Sequence, residues 1–501
     1  MRKPYYLCIT VGPILETLNM ADSPVALWYA STMFSNLVAR LCRSLREELS
    51  YTILTPNAPE ELELDDECHS TDGVGRFHDR IICWGQTEEL TKARTAVEDC
   101  IARTKKAVAE EVYAALEEAY QPALEAYMQV QYVMLPQERV DSGNPILATA
   151  RYMDALELCP SVQAIADDNP LFRLFAKNNT LKNAPMFRAV AEKDCLSGRD
   201  GRIRSIAQIA GVSGSPKKFS RYFALVQADG DAMGRVLQNK ADIEKTRDFS
   251  RACMGYAGQA AQQVRRFGGM PIYAGGDDIL FLAPVVNGEN KTVFQLCREI
   301  DALYQDMLND PGAQERTTLS FGISIQYYKF PLYEALERGR NLLFGEAKSY
   351  ENTQSQKHCM AIHLEKHSGQ SAGLKLDIGK LDAFLSLVSQ EQGDVMGEEL
   401  LHSAIAHILP ARGMFDALDG SDSVKTRCRC LLENLLSQEE SLPGDFPDKL
   451  AEYYADYILP GYCVAISPEA QREDTRENPH LEALISLLRI KKFLLENGGE
   501  F

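Results

Sequence analysis

The sequence has no long apolar run. No stretch approaches the ~20 consecutive apolar residues of a membrane-spanning helix, although 45% of the 501 residues are hydrophobic. The start, from Met1 to Pro4, leads directly into a strand-like run rather than into a signal peptide. We therefore expect a soluble, cytoplasmic protein without a membrane partner, and the length allows three or four domains.

Positive charge is also scarce. Lys+Arg 53 against Asp+Glu 71 gives a formal net charge of −18, which argues against a protein that binds nucleic acid by bulk electrostatics. A local basic cluster is nevertheless present at Arg202, Arg204, Lys217, Lys218 and Arg221. This cluster could contact RNA or could be a solvated loop, and the sequence does not decide between the two.

The sequence lacks cysteine pairs at the Cys-x-x-Cys spacing that binds zinc. The 13 cysteines are scattered, and several lie among apolar neighbours, as reduced core thiols do. Cys195 has no partner three residues later, Cys159 stands alone, and Cys428 and Cys430 lie in a helical pattern. Because a tetrahedral zinc site needs paired ligands, we expect no zinc.

The most informative feature present is an acidic hairpin. The segment from Tyr273 to Leu282 reads Tyr-Ala-Gly-Gly-Asp-Asp-Ile-Leu-Phe-Leu. Gly275 and Gly276 allow a sharp turn and let a nucleotide approach the backbone, while Asp277 and Asp278 offer the hard oxygen ligands that Mg²⁺ prefers. Gly and Asp are also common in tight turns, so the motif alone does not exclude an ordinary hairpin.

A second acidic turn lies upstream. The apolar run from Tyr222 to Ala228 ends in Asp229, Gly230 and Asp231, and a helical stretch follows. If this strand lies beside the hairpin, Asp229 faces the later aspartate pair, and the group could share two metal ions, as in nucleotidyl transfer. Asp229 could instead cap the following helix. The two roles are compatible.

The order of elements predicts a palm domain. A strand, a helix, the hairpin, a helix and the alternating strand from Thr318 to Tyr328 follow one another, which is the ferredoxin-like order of nucleotidyl cyclases and many polymerases. A last helix begins near Pro331 and ends at Lys348. Lys348 could reach a triphosphate as a point charge, or it could simply favour the negative end of the helix dipole.

These residues resemble the large, polymerase-like subunit of type III CRISPR effector complexes, the Cmr/Csm branch. The resemblance rests on Asp229 to Gly234, Phe249 to Arg251, Tyr273 to Asp278, Ser320 to Ile323, Pro331 to Tyr333 and Ala347 to Lys348. It implies a nucleotide site formed by Gly230, Asp231, Gly234, Ser250, Gly275, Gly276 and Lys348. It also implies Mg²⁺ or Mn²⁺ held by the catalytic residues Asp229, Asp277 and Asp278 and by the carbonyl of Gly230.

The amino end resembles the first, degenerate palm of that family through Val11 to Ile14 and Ala26 to Ser35. Its hairpin-like segment carries His78 and Asp79 instead of an acidic pair, so we expect this palm to be structural. Family members often begin with an HD nuclease domain. The chain enters the first palm at about Tyr5 and His78-Asp79 indicates an ordinary hairpin pair, so we expect neither that domain nor DNA cleavage.

The predicted fold class is α+β with several domains. We expect a first palm at 1–136, a helical connector at 137–217, a catalytic palm at 218–368 and a C-terminal helical bundle at 369–501. The composition of residues 367–373 predicts a flexible linker before the bundle. In the family this bundle meets the small helical subunits.

The resemblance implies a nucleotidyltransferase that target RNA activates within a guide-RNA complex and that makes cyclic oligoadenylate from ATP. A diguanylate cyclase is disfavoured because the hairpin continues into Ile279 and the usual Asn-Asp after the first aspartate is missing. Family members commonly carry a zinc-binding Cys-x-x-Cys pair between the palms. A silent scaffold fits the missing nuclease domain and the missing cysteine pair but not the intact carboxylates. A third alternative joins AMP to S-adenosylmethionine, and the sequence does not decide the product.

Overall fold

Two β-sheets form the centre of the structure, and helices pack against both of them. The computed structural model describes residues 2–59, 74–141, 143–158, 204–212, 217–310, 315–351, 357–388, 398–418, 423–436, 445–466 and 478–496. Within these ranges no helix combines the length and the apolar character needed to cross a membrane. Cys159, Cys195 and Arg202 lie outside the described residues, so the predictions made on them stay predictions.

The first sheet belongs to the first palm. Its strands are β1 (Lys3–Gly12), β2 (Thr52–Thr55), β3 (Arg80–Thr87) and β4 (Gln129–Pro136). The helices of this palm are α1 (Ile14–Asn19), α2 (Pro24–Glu47), α3 (Leu90–Ala115) and α4 (Pro122–Tyr127). All strand pairs are antiparallel, and the strand order is β2-β3-β1-β4. β1 is buried along most of its length because it is apolar on both faces and lies inside the sheet.

Helix α2 packs between the two palms. Ser23 caps it by accepting a hydrogen bond from Ala26 N at 3.3 Å, and Pro24 occupies a first-turn position where a missing N–H costs little. Almost the whole helix is buried, because it packs against α3 and against the second palm. A single hydrophobic core contains α2, the first sheet and one face of the second sheet, so the palms are packed together.

The described part of the connector is helical. It contains α5 (Pro145–Glu157) and α6 (Ile206–Ala210). Helix α5 packs on β1, and Arg80 of β3 forms ion pairs with Asp154 and Glu157 of α5. The connector is thereby fixed to the first palm.

The second sheet has seven strands. They are β5 (Tyr222–Asp231), β6 (Met270–Gly275), β7 (Asp278–Pro284), β8 (Thr318–Tyr327), β9 (Cys359–Glu365), β10 (Ser371–Asp377) and β11 (Cys463–Ala465). Its helices up to β9 are α7 (Met233–Gln238), α8 (Ile243–Phe267), α9 (Val293–Leu308) and α10 (Leu332–Asn341). The strand order is β11-β10-β9-β8-β5-β7-β6. The four strands β8-β5-β7-β6 repeat the order β4-β1-β3-β2 of the first palm, so both predicted ferredoxin-like palms and the α+β class are confirmed.

The remaining described helices pack together, and the last of them contacts β10 and β11 of the second sheet. They are α11 (Leu381–Val388), α12 (Glu398–Ile408), α13 (Arg412–Asp416), α14 (Val424–Leu436), α15 (Phe446–Tyr453) and α16 (Pro479–Leu495). Apolar residues of these helices and of the sheet form one core. The described residues from 381 onward are therefore mainly helical.

The predicted linker at 367–373 is wrong. Residues after Lys366 form a hairpin turn in which Lys366 N donates to Gln370 O at 2.8 Å, and Gly369 has a φ of +82°. β10 then pairs with β9, with Ala372 and Leu374 buried. Gly and Ser suit a hairpin turn as well as a linker, and the following alternation was the stronger signal. The second sheet therefore continues beyond residue 368.

Candidate metal and nucleotide site

Three aspartates converge at one end of the second sheet. Strand β5 pairs with β7, with Ala228 opposite Ile279, so the residues after Ala228 and before Ile279 meet at the same edge. Carboxylate oxygens of Asp229, Asp277 and Asp278 lie within 4.8 Å of one another. The structure thus brings together the three residues predicted to be catalytic.

The hairpin between β6 and β7 depends on its glycines. Gly275 pairs with Asp278, and Gly276 has a φ of +67°, in the left-handed region that favours glycine. A Cβ on Gly275 would lie 2.5 Å from the Tyr273 hydroxyl oxygen and 2.9 Å from the carbonyl oxygen of Arg76 in the first palm. The turn is therefore tight, and the first palm packs closely against it.

Gly230 allows Asp277 to approach strand β5. A Cβ on Gly230 would lie 2.5 Å from Asp277 Oδ2 and 2.5 Å from the hydroxyl oxygen of Tyr304. No real Cβ tolerates such a contact with a fixed neighbour. The glycine in the Asp-Gly-Asp turn is thus required for the close packing of the carboxylates.

Lys348 lies directly against this cluster. The chain from Leu342 to Ala347 forms a π-helical turn, a feature that is common at functional sites. Lys348 Nζ lies 2.5 Å from Asp229 Oδ2, and it donates to the carbonyls of Asp229 and Gly230, each at 2.7 Å, and to Asp231 Oδ1 at 2.8 Å. Burial lowers the pKa of Lys348, but the charges of Asp229 and Asp231 outweigh it and raise that pKa.

Asp231 lies beneath the cluster. Its side chain is 2% exposed, and Oδ2 accepts hydrogen bonds from Thr318 Oγ1 at 3.0 Å, Ser320 Oγ at 2.7 Å and His358 N at 3.1 Å. Both carboxylate oxygens therefore have protein partners. Asp231 holds Lys348 in place, and the nucleotide contact predicted for it stays a prediction.

The electrostatics of the cluster favour bound cations. Burial and the charge of Asp229 raise the pKa of Asp277 to about 6. Burial and the charge of Asp277 also raise the pKa of Asp278. Lys348 supplies one positive charge against several carboxylates, and the available donors are hard oxygen atoms. This donor set fits Mg²⁺ or Mn²⁺, whose binding stays a prediction.

Two cavities meet at the cluster, and both are lined by Asp79, Tyr273 and Asp278. The smaller cavity, of about 330 Å³, is lined by both palms, including Thr55, His78, Met233, Phe249, Ser250, Gly275, Gly276 and Asp277. The larger cavity, of about 650 Å³, lies between α1, β5, α10 and the π-helical turn, and its walls include Leu15, Gln227, Tyr333, Arg340 and Phe344. Asp278 is therefore accessible from both.

The first palm contributes to the smaller cavity through a chain of hydrogen bonds. Ser250 Oγ donates to Thr55 Oγ1 at 3.1 Å and accepts from Asn57 N at 3.0 Å, while Thr55 Oγ1 lies 2.9 Å from His78 Nε2. Burial, followed by the charge of Arg80, lowers the pKa of His78 to about 4. Ser250, predicted to bind nucleotide, thus also connects the palms.

His78 and Asp79 were missed by the sequence reasoning, which treated them as an ordinary hairpin pair in a structural palm. They immediately precede β3, as Asp277 and Asp278 lie at the start of β7. This correspondence was visible only once both sheets were known to share one strand order. Residues of the first palm therefore line the cavities at the cluster directly.

Gly234 and the predicted basic cluster lie in other surroundings. Gly234 lies on α7 beyond the walls of both cavities, and a Cβ there would come no closer than 4.0 Å to Leu147. In the predicted basic cluster, Lys218 pairs with Glu496 at 3.0 Å and Arg204 donates to the carbonyl of Gly268 at 2.9 Å. These two cations stabilise the fold, and RNA contact by the cluster stays a prediction.

Comparison with known proteins agrees with this geometry. Residues 222–356 match the family model for the second palm domain of Cas10/Cmr2. The CRISPR system Cmr subunit Cmr2 of Pyrococcus furiosus is 27% identical over 232 residues, a match that covers 39% of this chain and only 25% of that protein.

Solved structures extend the likeness in fold to nearly the whole chain. The type III-B Cmr-beta assembly bound to cognate target RNA contains a chain with a TM-score of 0.58 and 11% identity, covering 99% of this chain and 83% of that one. The Csm1–Csm4 cassette in complex with cA4 gives a TM-score of 0.53 and 11% identity, covering 99% and 70%. The second palm is therefore similar to that of Cas10/Cmr2, and nearly the whole chain shares its fold with the Cmr and Csm chains named above.

Proposed function

We propose that this chain is the large subunit of a type III CRISPR RNA-guided complex and makes cyclic oligoadenylate from ATP when target RNA binds. The observation that carries the proposal is the convergence of Asp229, Asp277 and Asp278 beside two cavities. Relatives of the same fold, bound to cA4 and to cognate target RNA, support the product class and the RNA partner. Further proposed partners are guide RNA and small helical subunits at the C-terminal helices.

The proposed reaction joins a hydroxyl of one nucleotide to the α-phosphate of another and releases pyrophosphate. Bound Mg²⁺ would lower the pKa of the hydroxyl and neutralise the leaving group. Asp229, Asp277, Asp278 and the Gly230 carbonyl are the groups that would hold it. Gly275 and Gly276 leave the backbone of the hairpin open to the phosphates.

Two nucleotides must meet at the cluster, and the two cavities offer a place for each. The smaller one combines apolar walls with the hydroxyls of Thr55 and Ser250 and with a neutral His78, which suits a base and its sugar. The larger one offers Arg340 and Gln227 together with the exposed ring of Tyr333. Holding donor and acceptor in line is worth ~7–11 kcal/mol, so we expect efficient turnover only when assembly fixes both palms.

The test is to incubate the reconstituted complex with labelled ATP and to identify the products by mass spectrometry. Guide RNA and partner subunits are present throughout, and target RNA and S-adenosylmethionine are each added or left out. Oligoadenylate that depends on target RNA supports the proposal. Adenylated S-adenosylmethionine would redirect it to another acceptor, and no product from a target-bound complex would leave a scaffold role.

A further inference from the structure

The ammonium of Lys348 and a metal ion would use the same oxygen atoms. Lys348 Nζ lies 2.5 Å from Asp229 Oδ2 and 2.7 Å from Gly230 O, and both oxygens belong to the proposed metal-binding set. Mg²⁺ binds its ligands at ~2.0–2.1 Å. An ion on these two oxygens would therefore lie close to the present position of the ammonium, and the two cations would repel each other.

Lys348 is also fully occupied. An ammonium has three protons to donate, and four oxygen atoms from Asp229, Gly230 and Asp231 already surround it. It therefore has no free donor for a triphosphate in this position. To reach a nucleotide, as the sequence predicted, Lys348 must first leave part of this set.

Asp231 gives the lysine an anchor that does not depend on the metal-binding oxygens. Three hydrogen bonds fix Asp231 Oδ2 from below, one of them from His358 N. His358 is itself held, because its Nε2 lies 3.1 Å from Oδ1 of the buried Asp301. Lys348 can thus turn away from Asp229 and remain paired with Asp231.

We propose that Lys348 is a displaceable counter-cation: it neutralises Asp229 and donates to the Gly230 carbonyl until a metal ion takes these oxygens, and it then turns to the triphosphate. This inference rests on the proposed function, since it assumes that the cluster binds metal and nucleotide. It predicts that Lys348 weakens metal binding in the absence of nucleotide. A lysine with a supporting role alone would strengthen or leave unchanged the binding of metal.

The experiment is a Mn²⁺ titration of the full chain without nucleotide, with free Mn²⁺ counted by electron paramagnetic resonance. Lys348→Met and Lys348→Gln are compared with the parent and with Arg340→Met. Arg340 lines the larger cavity with Asp278, and within the described residues it donates no hydrogen bond to the cluster. This control removes a nearby positive charge without freeing a metal-binding oxygen.

Both Lys348 variants should bind Mn²⁺ about tenfold or more tightly than the parent, since a partly buried contact between charges is lost. The gain should persist in 1 M KCl, where the Debye length falls to ~3 Å. Arg340→Met should give a smaller gain that disappears in 1 M KCl. Binding of ATP, measured separately with Mn²⁺ present, should weaken in the Lys348 variants.

Equal or weaker Mn²⁺ binding by the Lys348 variants would overturn the inference and leave the proposed function standing. Thermal unfolding checks that both titrated variants are folded. Failure of the parent chain itself to bind Mn²⁺ would instead remove the metal site, and with it both proposals.

Discussion

The two palms share a strand order and differ at the ends of their strands. In the first palm, β1 ends at Gly12 and is followed by Pro13, and neither residue offers a carboxylate, whereas the matching β5 ends in Asp229 and Asp231. The hairpins differ as well. In the second palm β6 and β7 are joined tightly through Gly276 and Asp277, whereas the connection from β2 to β3 spans residues 56–79.

This difference shows how one scaffold serves two purposes. In each palm the last residues of the first strand lie beside the first residues of the third strand, at one end of the sheet. Either palm could therefore hold a carboxylate cluster there. Residue identity at those ends decides which one does. The first palm instead presents His78 and Asp79 to the cavity of the second, and the two copies become unequal halves of one site.

The strongest test of this inequality replaces the two corresponding residues of each palm in turn. Asp277→Ala with Asp278→Ala should lower ATP turnover by at least ~10³-fold, because metal ions supply several kcal/mol of transition-state stabilisation. The matched pair His78→Ala with Asp79→Ala should lower turnover less, since no metal ligand is lost. Turnover is measured in the assembled complex with target RNA.

Stability provides the control for that comparison. Burial raises the pKa of both Asp277 and Asp278, so their charged forms oppose folding at neutral pH. The double variant should therefore unfold at the same temperature as the parent or at a higher one. Parental turnover in the second-palm variant, or an equal loss in both, would show that the palms do not differ in the way proposed.

A subtler change tests the packing that sets the cluster. Gly230→Ala should lower turnover ~10²-fold, because its Cβ would displace Asp277 and a misplacement of about 1 Å costs that much. It should also destabilise the fold by ~1–3 kcal/mol through overpacking. Gly288→Ala is the matched control, since a Cβ there meets nothing within 4 Å. Equal behaviour of the two variants would contradict the argument.

The sequence predicted this cluster because its signals are local. Apolar runs mark β5 and β7, and Asp229 and Asp278 stand at their ends, so an antiparallel pairing was enough to bring the carboxylates together. The second palm could be derived in the same way from the order of its elements. The sequence predicted that Lys348 lies near the site, but it did not predict the atoms that Lys348 contacts. Those contacts depend on the π-helical turn before it.

What the sequence could not provide was the packing between distant segments. The contact between Thr55 and Ser250 joins residues far apart in the chain, and no local pattern encodes it. The sequence also does not reveal that Thr318 and Ser320 of β8 donate hydrogen bonds to the Asp231 carboxylate. The hairpin at residues 367–370 was hidden by a composition that linkers share.

The pH dependence of stability tests the contribution of His78 in the first palm. Burial lowers the pKa of His78 from 6.5 to about 4, so the unfolded chain binds a proton that the folded chain does not. His78 therefore costs stability as the pH falls below 6.5. Between pH 7 and pH 5 its share should be about 1–2 kcal/mol, and His78→Gln should remove it in denaturant unfolding. His363 in β9, whose pKa burial also lowers to about 4, is the second-palm control.

The smallest expected effect concerns how the first palm holds its connector. Arg80 pairs with Asp154 at 2.8 Å and with Glu157 at 2.7 Å, and these side chains are 36% to 60% exposed. Exposed ion pairs contribute ~0–1 kcal/mol and weaken with salt, so Arg80→Ala should lower the free energy of unfolding by less than about 1 kcal/mol, and by less still in 1 M KCl. The measurement is urea unfolding at the two salt concentrations. A loss of several kcal/mol that salt leaves unchanged would mean that α5 is an integral part of the first palm, and that the two palms differ in their cores as well as at their strand ends.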